Sequence, residues 1–523
     1  MKTVELHFPK EGVNRRLAER QTDKRGSYPC PWAVNVRLND NIDRRLRGGS
    51  RPGLTKYLSG DFGTTIADMI SIDVSLTSGA GVQEKLFVLV DSGVATGNAV
   101  ALVGYLVDDA DVDNILTDDA GNRILISSIA APATGFLVSG QQQVIVVDPA
   151  TGTVYQIDPQ SGQVDDIKPS AGTVPVNSTF GAVYRDRLCL AGEDNAVYMS
   201  RQGNYKDWDY GKDVGDNGRA IPFQLSLSSD VGPLTTAMIA HKDSTMLLAS
   251  ARTLWVLRGD PTTGNLQRVS ENVGILSSRS WTTVDDTVYF LSNEGIYQVG
   301  ADGSGLSPLS EGSVPVELRN VNPQTTTIFM EYEHDREAIH LYLENAKDGT
   351  DTYWVFEIQS KAWWPMRFQV DHTPLAVCRH QGKLLLAGKD GYVRYVGGSD
   401  DDGTAIESHC VIGPMKLGSI DRGGIINMVH GMLAAGSGTV NWRVVIGATA
   451  EEAGDNAKLA IEAFQAGNSY ATYVKASDSW LAGRSLAQYP RVSSAWACIW
   501  LQSTAKWAME GGTMQVKLSG RYR

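Results

Sequence analysis

The sequence is poor in residues that would tie a chain together covalently or hold a metal. Its 523 residues include only five cysteines, Cys30, Cys189, Cys378, Cys410 and Cys498. They are far apart and form no CxxC pair, which excludes a zinc ribbon and a dense disulfide framework; all five read as free buried thiols. The eight histidines show neither HxH nor HExxH spacing. Their nearest pair, His334 and His340, flanks a predicted strand, and each histidine reads as a surface or hydrogen-bonded core residue. Long apolar runs are also missing. The longest, Ala99 to Val107, is about half a membrane span, and the opening MKTVELHFPKEG lacks the apolar centre of a signal sequence. A soluble protein made in the cytoplasm, with no membrane span, is therefore expected.

The motifs of catalysis are equally scarce. No GxSxG elbow appears, and the Gly-rich phrases RGGSRPGL and GADGSGL lack the spacing of a phosphate cradle. SNEGIYQ at Ser292 lacks the Asp and the Thr-Trp of a glycosidase Asp-box turn, and reads as a hairpin turn. In DDADVDN, Asp109, Asp111 and Asp113 alternate as in a calcium loop. Asn114 and Ala120 stand where Gly and Glu are needed, so a solvated surface loop is expected. Trp363 and Trp364 precede a proline and could stack on a sugar, but a core plug at a blade edge is the favoured reading. No catalytic residue, cofactor or metal site is predicted, and the chain is read as non-enzymatic.

What the chain does contain is a repeated hairpin. TMLLASARTLWVLRG from Thr245 is echoed 42 residues later by VYFLSNEGIYQVG. In each, an apolar run too short for a helix ends in a small polar turn and a second run follows. Aligning the end of the first run gives Val90, Val147, Leu190, Leu248, Phe290, Leu343 and Leu386, at offsets of 57, 43, 58, 42, 53 and 43 residues. These values bracket one four-stranded propeller blade, about 40 to 50 residues. The fold class is therefore all-β, a β-propeller of six blades, with a seventh at the first repeat, which the acidic insertion Asp108 to Asn122 interrupts. A β-sandwich would not need seven similar hairpins at this spacing.

Charge divides the chain further. Residues 1–60 hold 13 Lys+Arg against 6 Asp+Glu, a balance of +7, and the remainder carries −19, for a net −12. A basic arm (1–60) thus precedes an acidic propeller (61–400). The arm shows no sustained period, but Pro29, Pro31 and Trp32 argue that it docks on a surface. After the polar linker GGSDDDGTAIES, strands are predicted at Val440–Ile446, Ala495–Leu501 and Thr513–Leu518, and a short helix at Glu451–Gln465. Residues 401–523 are read as a C-terminal β-sandwich-like domain. From the charge asymmetry, Arg15, Arg16, Arg44, Arg45, Arg47, Arg51, Arg521 and Arg523 are expected at contacts between subunits or with a neighbouring protein, and deleting residues 1–50 is expected to block assembly. A strap laid over its own propeller is the competing role for the arm.

Several phrases resemble a known family. GVNRR, WAVNVRLND and RRLRGGSRPGL look like the N-terminal signature of virion structural proteins from tailed phages. RDRLCLAGEDNAVYMSRQGNYKDW, LWVLRGDPTTGNLQRVSENVGILSSRSW and VYFLSNEGIYQV are similar to propeller blades of the tail tube terminator, or nozzle, of short-tailed phages. LLAGKDGYVRY with DDGTAIES continues a likeness that spans roughly residues 12–400. The resemblance implies a β-propeller virion protein in the tail, forming a homo-oligomeric ring, typically a hexamer, below the portal and adaptor. Genomic DNA would pass transiently and without sequence preference through the ring, and fibres, spikes or a needle would attach to it. An acidic body suits passage without binding, so acidic residues are expected toward the lumen. Two other readings stand beside this one. The first is a carbohydrate-binding or glycan-cleaving propeller of a receptor-binding protein, and the second is a cellular scaffold that binds peptides.

Overall fold

In a computed structural model, the structure describes residues 2–521 except 15–27, 59, 63–65, 76–81, 97–98, 107–124, 131–135, 141–142, 148–152, 158–163, 177, 193–195, 213–214, 225–233, 310–317, 320, 348–349 and 419–421. The described residues form seven four-stranded antiparallel sheets, two larger sheets and one α-helix, Ala450–Gln465. The seven small sheets follow one another along the chain as blades. Their first strands are Ile66–Ser75, Phe136–Gly140, Ser178–Tyr184, Ala237–His241, Trp281–Val284, Thr327–Glu333 and Ala376–His380. From Trp281–Val284 through Ile66–Ser75 to Ala237–His241, successive first strands neighbour one another around the ring, and Ile66–Ser75 touches both Phe136–Gly140 and Ala376–His380.

Each residue that anchors the sequence repeat lies on the second strand of its blade, from Val90 in Val82–Thr96 to Leu386 in Lys383–Ala387. The blade count among the described residues is therefore seven, with the seventh at the first repeat, where the sequence places it. The weak first repeat is a complete sheet, Ile66–Ser75, Val82–Thr96, Ala99–Leu106 and Leu125–Ala130. Its acidic insertion, with Asp109, Asp111, Asp113, Asn114 and Ala120, lies outside the described residues.

The continuous apolar runs follow from the stacking of blades. A middle strand is covered on both faces, so it cannot alternate with polar residues. In blade four, Met246 and Leu248 join Phe180, Cys189 and Val197 of blade three. Leu247 and Ala249 face the other way and join Val288, Phe290 and Val299 of blade five. Each large side chain buried in this way contributes about 1.5–3 kcal/mol.

The ring closes through the N-terminal arm. The fourth strand of blade seven is Leu54–Lys56, which pairs antiparallel with Val393–Val396, Thr55 opposite Tyr395. Just beyond it, Leu58 and Phe62 pack with Met69 and Val88 of blade one and with Leu385 of blade seven.

The two larger sheets form a sandwich. One contains Ala33–Val34, Ser408–Lys416, Trp496–Ser503, Val440–Gly447 and Val474–Trp480. The other contains Lys2–Leu6, Met509–Arg521 and Arg422–Leu433, with the short strands Gly483–Arg484 and Val492–Ser494. Ile412, Trp442, Trp507 and Met514 fill the space between them. The helix, capped by the Thr449 hydroxyl accepting from the Glu452 amide at 3.1 Å, lays Ala453, Ala457, Ala460 and Ile461 on the outer face of the first sheet, against Val411, Val445 and Trp500. The sandwich thus draws strands from both ends of the sequence, not from residues 401–523 alone.

Candidate functional site

The arm runs along the seam between sandwich and propeller, and several fully or almost fully buried charges, Arg37, Asp40 and Arg51 among them, lie there. It starts as the sandwich strand Lys2–Leu6 and reaches blade six at Gly12, which bridges to Trp363. Gly12 has φ +74°, and a Cβ there would lie 2.4 Å from the Trp363 carbonyl, so only glycine fits. The arm then returns to the sandwich at Ala33–Val34, forms the hairpin Val36–Asn39 with Leu46–Ser50, and ends in blade seven.

Successive residues of the hairpin's first strand point to opposite sides. Val36 and Leu38 enter the sandwich core. Arg37, fully buried, turns to blade six, where its Nη1 donates to Glu333 Oε2 at 2.7 Å and its Nε lies 3.5 Å from Glu357 Oε1. Glu333 also accepts from Arg336 Nη1 at 2.6 Å and pairs with His340 Nε2 at 2.8 Å. The Tyr342 hydroxyl lies 2.9 Å from His340 Nδ1. Burial raises the Glu333 pKa, but Arg37, His340 and Arg336 more than reverse this and hold its carboxyl well below the usual range. Burial pushes His340 down despite Glu333, so the ring is neutral, donates from Nε2 to the carboxylate and accepts from Tyr342 at Nδ1.

Arg51 makes a second buried knot. Its Nη1 and Nη2 grip both oxygens of Asp401 at 2.8 and 2.5 Å, Nε donates to Asn35 at 2.9 Å, and the remaining N–H groups reach the carbonyls of Pro52 and Arg367. All five donors are satisfied, and the guanidinium stacks 4.8 Å over the Phe368 ring. Arg47 pairs with Asp40 at 2.9 Å, with Asp43 at 2.7 Å and with Glu510. Of the residues expected at contacts with other chains, Arg47 and Arg51 are thus bound within their own. Arg44, 3.3 Å from Asp335, and Arg45, 3.9 Å from Asp43, have side chains 55% and 69% exposed. Arg521 lies in the strand Met509–Arg521 opposite Arg422, and Arg15, Arg16 and Arg523 lie outside the described residues.

The tryptophan pair belongs to the same seam. Trp363 and Trp364 are both fully buried on the outer strand of blade six. Trp363 packs on Phe356 at 4.8 Å between the ring centroids, and Trp364 faces the sandwich and arm, 5.3 Å from Phe8. They plug the blade edge and offer no platform to a sugar.

A cavity of about 720 Å³ occupies the propeller axis, lined by the first strands of several blades. Most of its charges pair with one another. Arg379 of blade seven meets Glu331 of blade six at 2.9 Å. The Ser71 hydroxyl lies 2.7 Å from both Glu84 Oε1 and His380 Nδ1 at the seam of blades one and seven. Arg279, just before blade five, reaches Asp68 of blade one. Blades one and five are not neighbours, so this last pair bridges the axis.

No family model and no curated protein matches the chain. It is similar to the WD40 β-propeller domain of Doa1, at 12% identity and a TM-score of 0.40, over 66% of this chain and 96% of that one. It is also similar to YCF48 bound to D1 peptide, at 11% identity and a TM-score of 0.39 over 68% and 100% of the two chains. A third likeness is to virginiamycin B lyase from Staphylococcus aureus, at 10% and 0.40 over 65% and 98%. The chain is a β-propeller. Likenesses this distant extend to fold alone.

Acid should loosen the molecule. His340, His372, His380 and His409 are all pushed below the ordinary value by burial. As pH falls below about 6.5 the unfolded chain therefore takes up protons first, and stability is lost. Glu333 adds to the loss once pH drops through the usual carboxyl range, because its folded form resists protonation. The melting temperature is expected to fall by several degrees from pH 7.5 to pH 5.5 and further toward pH 4; a flat or rising profile would contradict the burial of these rings.

Proposed function

We propose that the chain is a non-enzymatic structural subunit of the tail of a short-tailed phage, a wall segment of the nozzle ring through which DNA leaves the virion. One observation carries the reading: the arm whose phrases resemble that family is the strap that closes the propeller and locks it to the sandwich, through Leu54–Lys56, Arg37 and Arg51. Such a strap makes a rigid body suited to bearing load. The side chains at the seam and in the axial cavity neutralise one another, which suits a wall better than a reaction centre. Because Asp68 and Arg279 span the propeller axis, the DNA path belongs to an opening formed among copies, and a body with a balance of −19 outside the arm repels the duplex rather than gripping it. Contact with the adaptor above falls to Arg44 and Arg45, the exposed arginines of the arm hairpin.

The test is incorporation into tails. Replacing Arg44 and Arg45 together by glutamate is expected to change folding stability by no more than about 0.5 kcal/mol, since both are exposed, while reducing co-sedimentation with portal–adaptor complexes. Normal co-sedimentation of that variant would remove the arm hairpin from the contact. Failure of the unaltered chain to join any tail complex would remove the reading itself.

A further inference from the structure

The sandwich carries two exposed faces of opposite character. The first is the ridge 481–491, which leaves the strand Val474–Trp480 and runs along the edge of the second sheet. Leu481, Leu486 and Tyr489 are 62%, 87% and 62% exposed there, and the adjoining Met432 is 41% exposed. This is not a loose loop. Ser485 donates to the Gly431 carbonyl at 2.9 Å, Gln488 and Val429 exchange backbone hydrogen bonds at 2.8 and 2.9 Å, and Trp442 Nε1 donates to the Gln488 side chain at 2.7 Å. The only charged residues of the ridge are Arg484 and Arg491, and both are exposed.

The second face is the outer side of the helix. Leu459, 44% exposed, sits among Glu451, Glu452, Asp455 and Glu462, with Lys458 the one basic group, 3.7 Å from Glu462. An aliphatic side chain ringed by acid on one surface matches a leucine–tyrosine ridge flanked by base on another, in shape of contact and in sign. The helix covers the outer face of the first sheet, and the ridge edges the second. Among the described residues, no hydrogen bond or ion pair joins them within the chain. Pairing like with like across a two-fold axis would set Arg484 and Arg491 against their own copies. A head-to-tail contact satisfies both faces, and a head-to-tail contact whose rotation closes generates a ring.

We infer that a second copy of this chain docks here, the helix face around Leu459 of one copy seating on the Leu481–Arg491 ridge of the next. The inference rests on the ring reading above, and assigns that ring its contact. Each copy would bury one ridge and one helix face, so every exposed leucine named here is covered once the ring closes.

The experiment follows the mass of the purified full-length chain by light scattering across a concentration series. Three variants accompany the unaltered protein: Leu486→Asp with Tyr489→Asp, Arg484→Glu with Arg491→Glu, and Glu451→Arg with Asp455→Arg. A fourth combines the second and third. Each of the first three is expected to weaken association by about tenfold or more, with the fold retained because every site is exposed. The combination, which restores opposite signs across the contact, is expected to recover association. If the unaltered chain associates and the ridge and helix variants associate equally well, this contact is wrong and the ring reading stands. If the unaltered chain stays monomeric throughout, both fall.

Discussion

Replacing Arg37 by alanine should cost about 3–5 kcal/mol of folding free energy, the range expected when one member of a buried ion pair is removed and its partner is left in place. Glu333 is almost fully buried and would lose the guanidinium that lies 2.7 Å from its Oε2, keeping only Arg336 and a neutral His340. Glu357 would lose its charge partner as well. The loss is read by chemical denaturation, with Arg45→Ala as the comparison, since that side chain is mostly exposed and its removal should change stability by no more than about 0.5 kcal/mol. A cost below about 1 kcal/mol for Arg37→Ala would mean that water reaches Glu333, and the buried seam would have to be redrawn.

Removing residues 1–56 should have a larger effect still. The truncated chain would lack the fourth strand of blade seven and the strands Lys2–Leu6 and Ala33–Val34 of the sandwich. It would also expose core lined by Leu6, Phe8, Val36 and Leu38. At about 1.5–3 kcal/mol for each such side chain, these residues alone carry about 6–12 kcal/mol, comparable to the total stability of an ordinary domain, about 5–15 kcal/mol. The expected outcome is aggregated protein without a near-ultraviolet circular dichroism signal. A soluble, cooperatively melting product would show that the arm is an accessory. The same geometry changes the meaning of the 1–50 deletion, which removes folding elements together with any assembly contact. Exposed single residues such as Arg44 and Arg45 separate the two effects.

The propeller was legible because its information is local. Each blade is built from adjacent hairpins with short polar turns, so the seven anchors from Val90 to Leu386 mark seven second strands without knowledge of distant pairing. The seventh blade, at the first repeat, was the faintest in sequence because the insertion after Leu106 interrupts it, although its four strands are intact. The helix at Ala450–Gln465 was legible for a similar reason, its apolar face being written in a short window. What escaped was non-local. Nothing near Tyr395 says that its partner strand is Thr55, about 340 residues earlier. The arm also misled by composition, since arginines are usually solvated, yet Arg37 and Arg51 are among the largest fully buried side chains. One signal was present. From Val34 to Asn39 the residues alternate strictly, Val-Asn-Val-Arg-Leu-Asn, the period of a strand with two distinct faces. The second face proved to be a wall of carboxylates rather than water.

The pairing of Lys2 with Val516 sets an order of events during synthesis. A ribosome adds about 5–20 residues per second, so the first strand waits on the order of half a minute or more for the strand it will sit beside. The ring, for its part, cannot close before Val396 has been made, because Leu54 must find it. The early blades emerge with their stacking faces uncovered, and the growing chain is at its most vulnerable to aggregation while its own N-terminal segment is idle. Such a protein completes its sandwich only once the strand Met509–Arg521 has emerged, which favours a folding helper that holds the nascent chain.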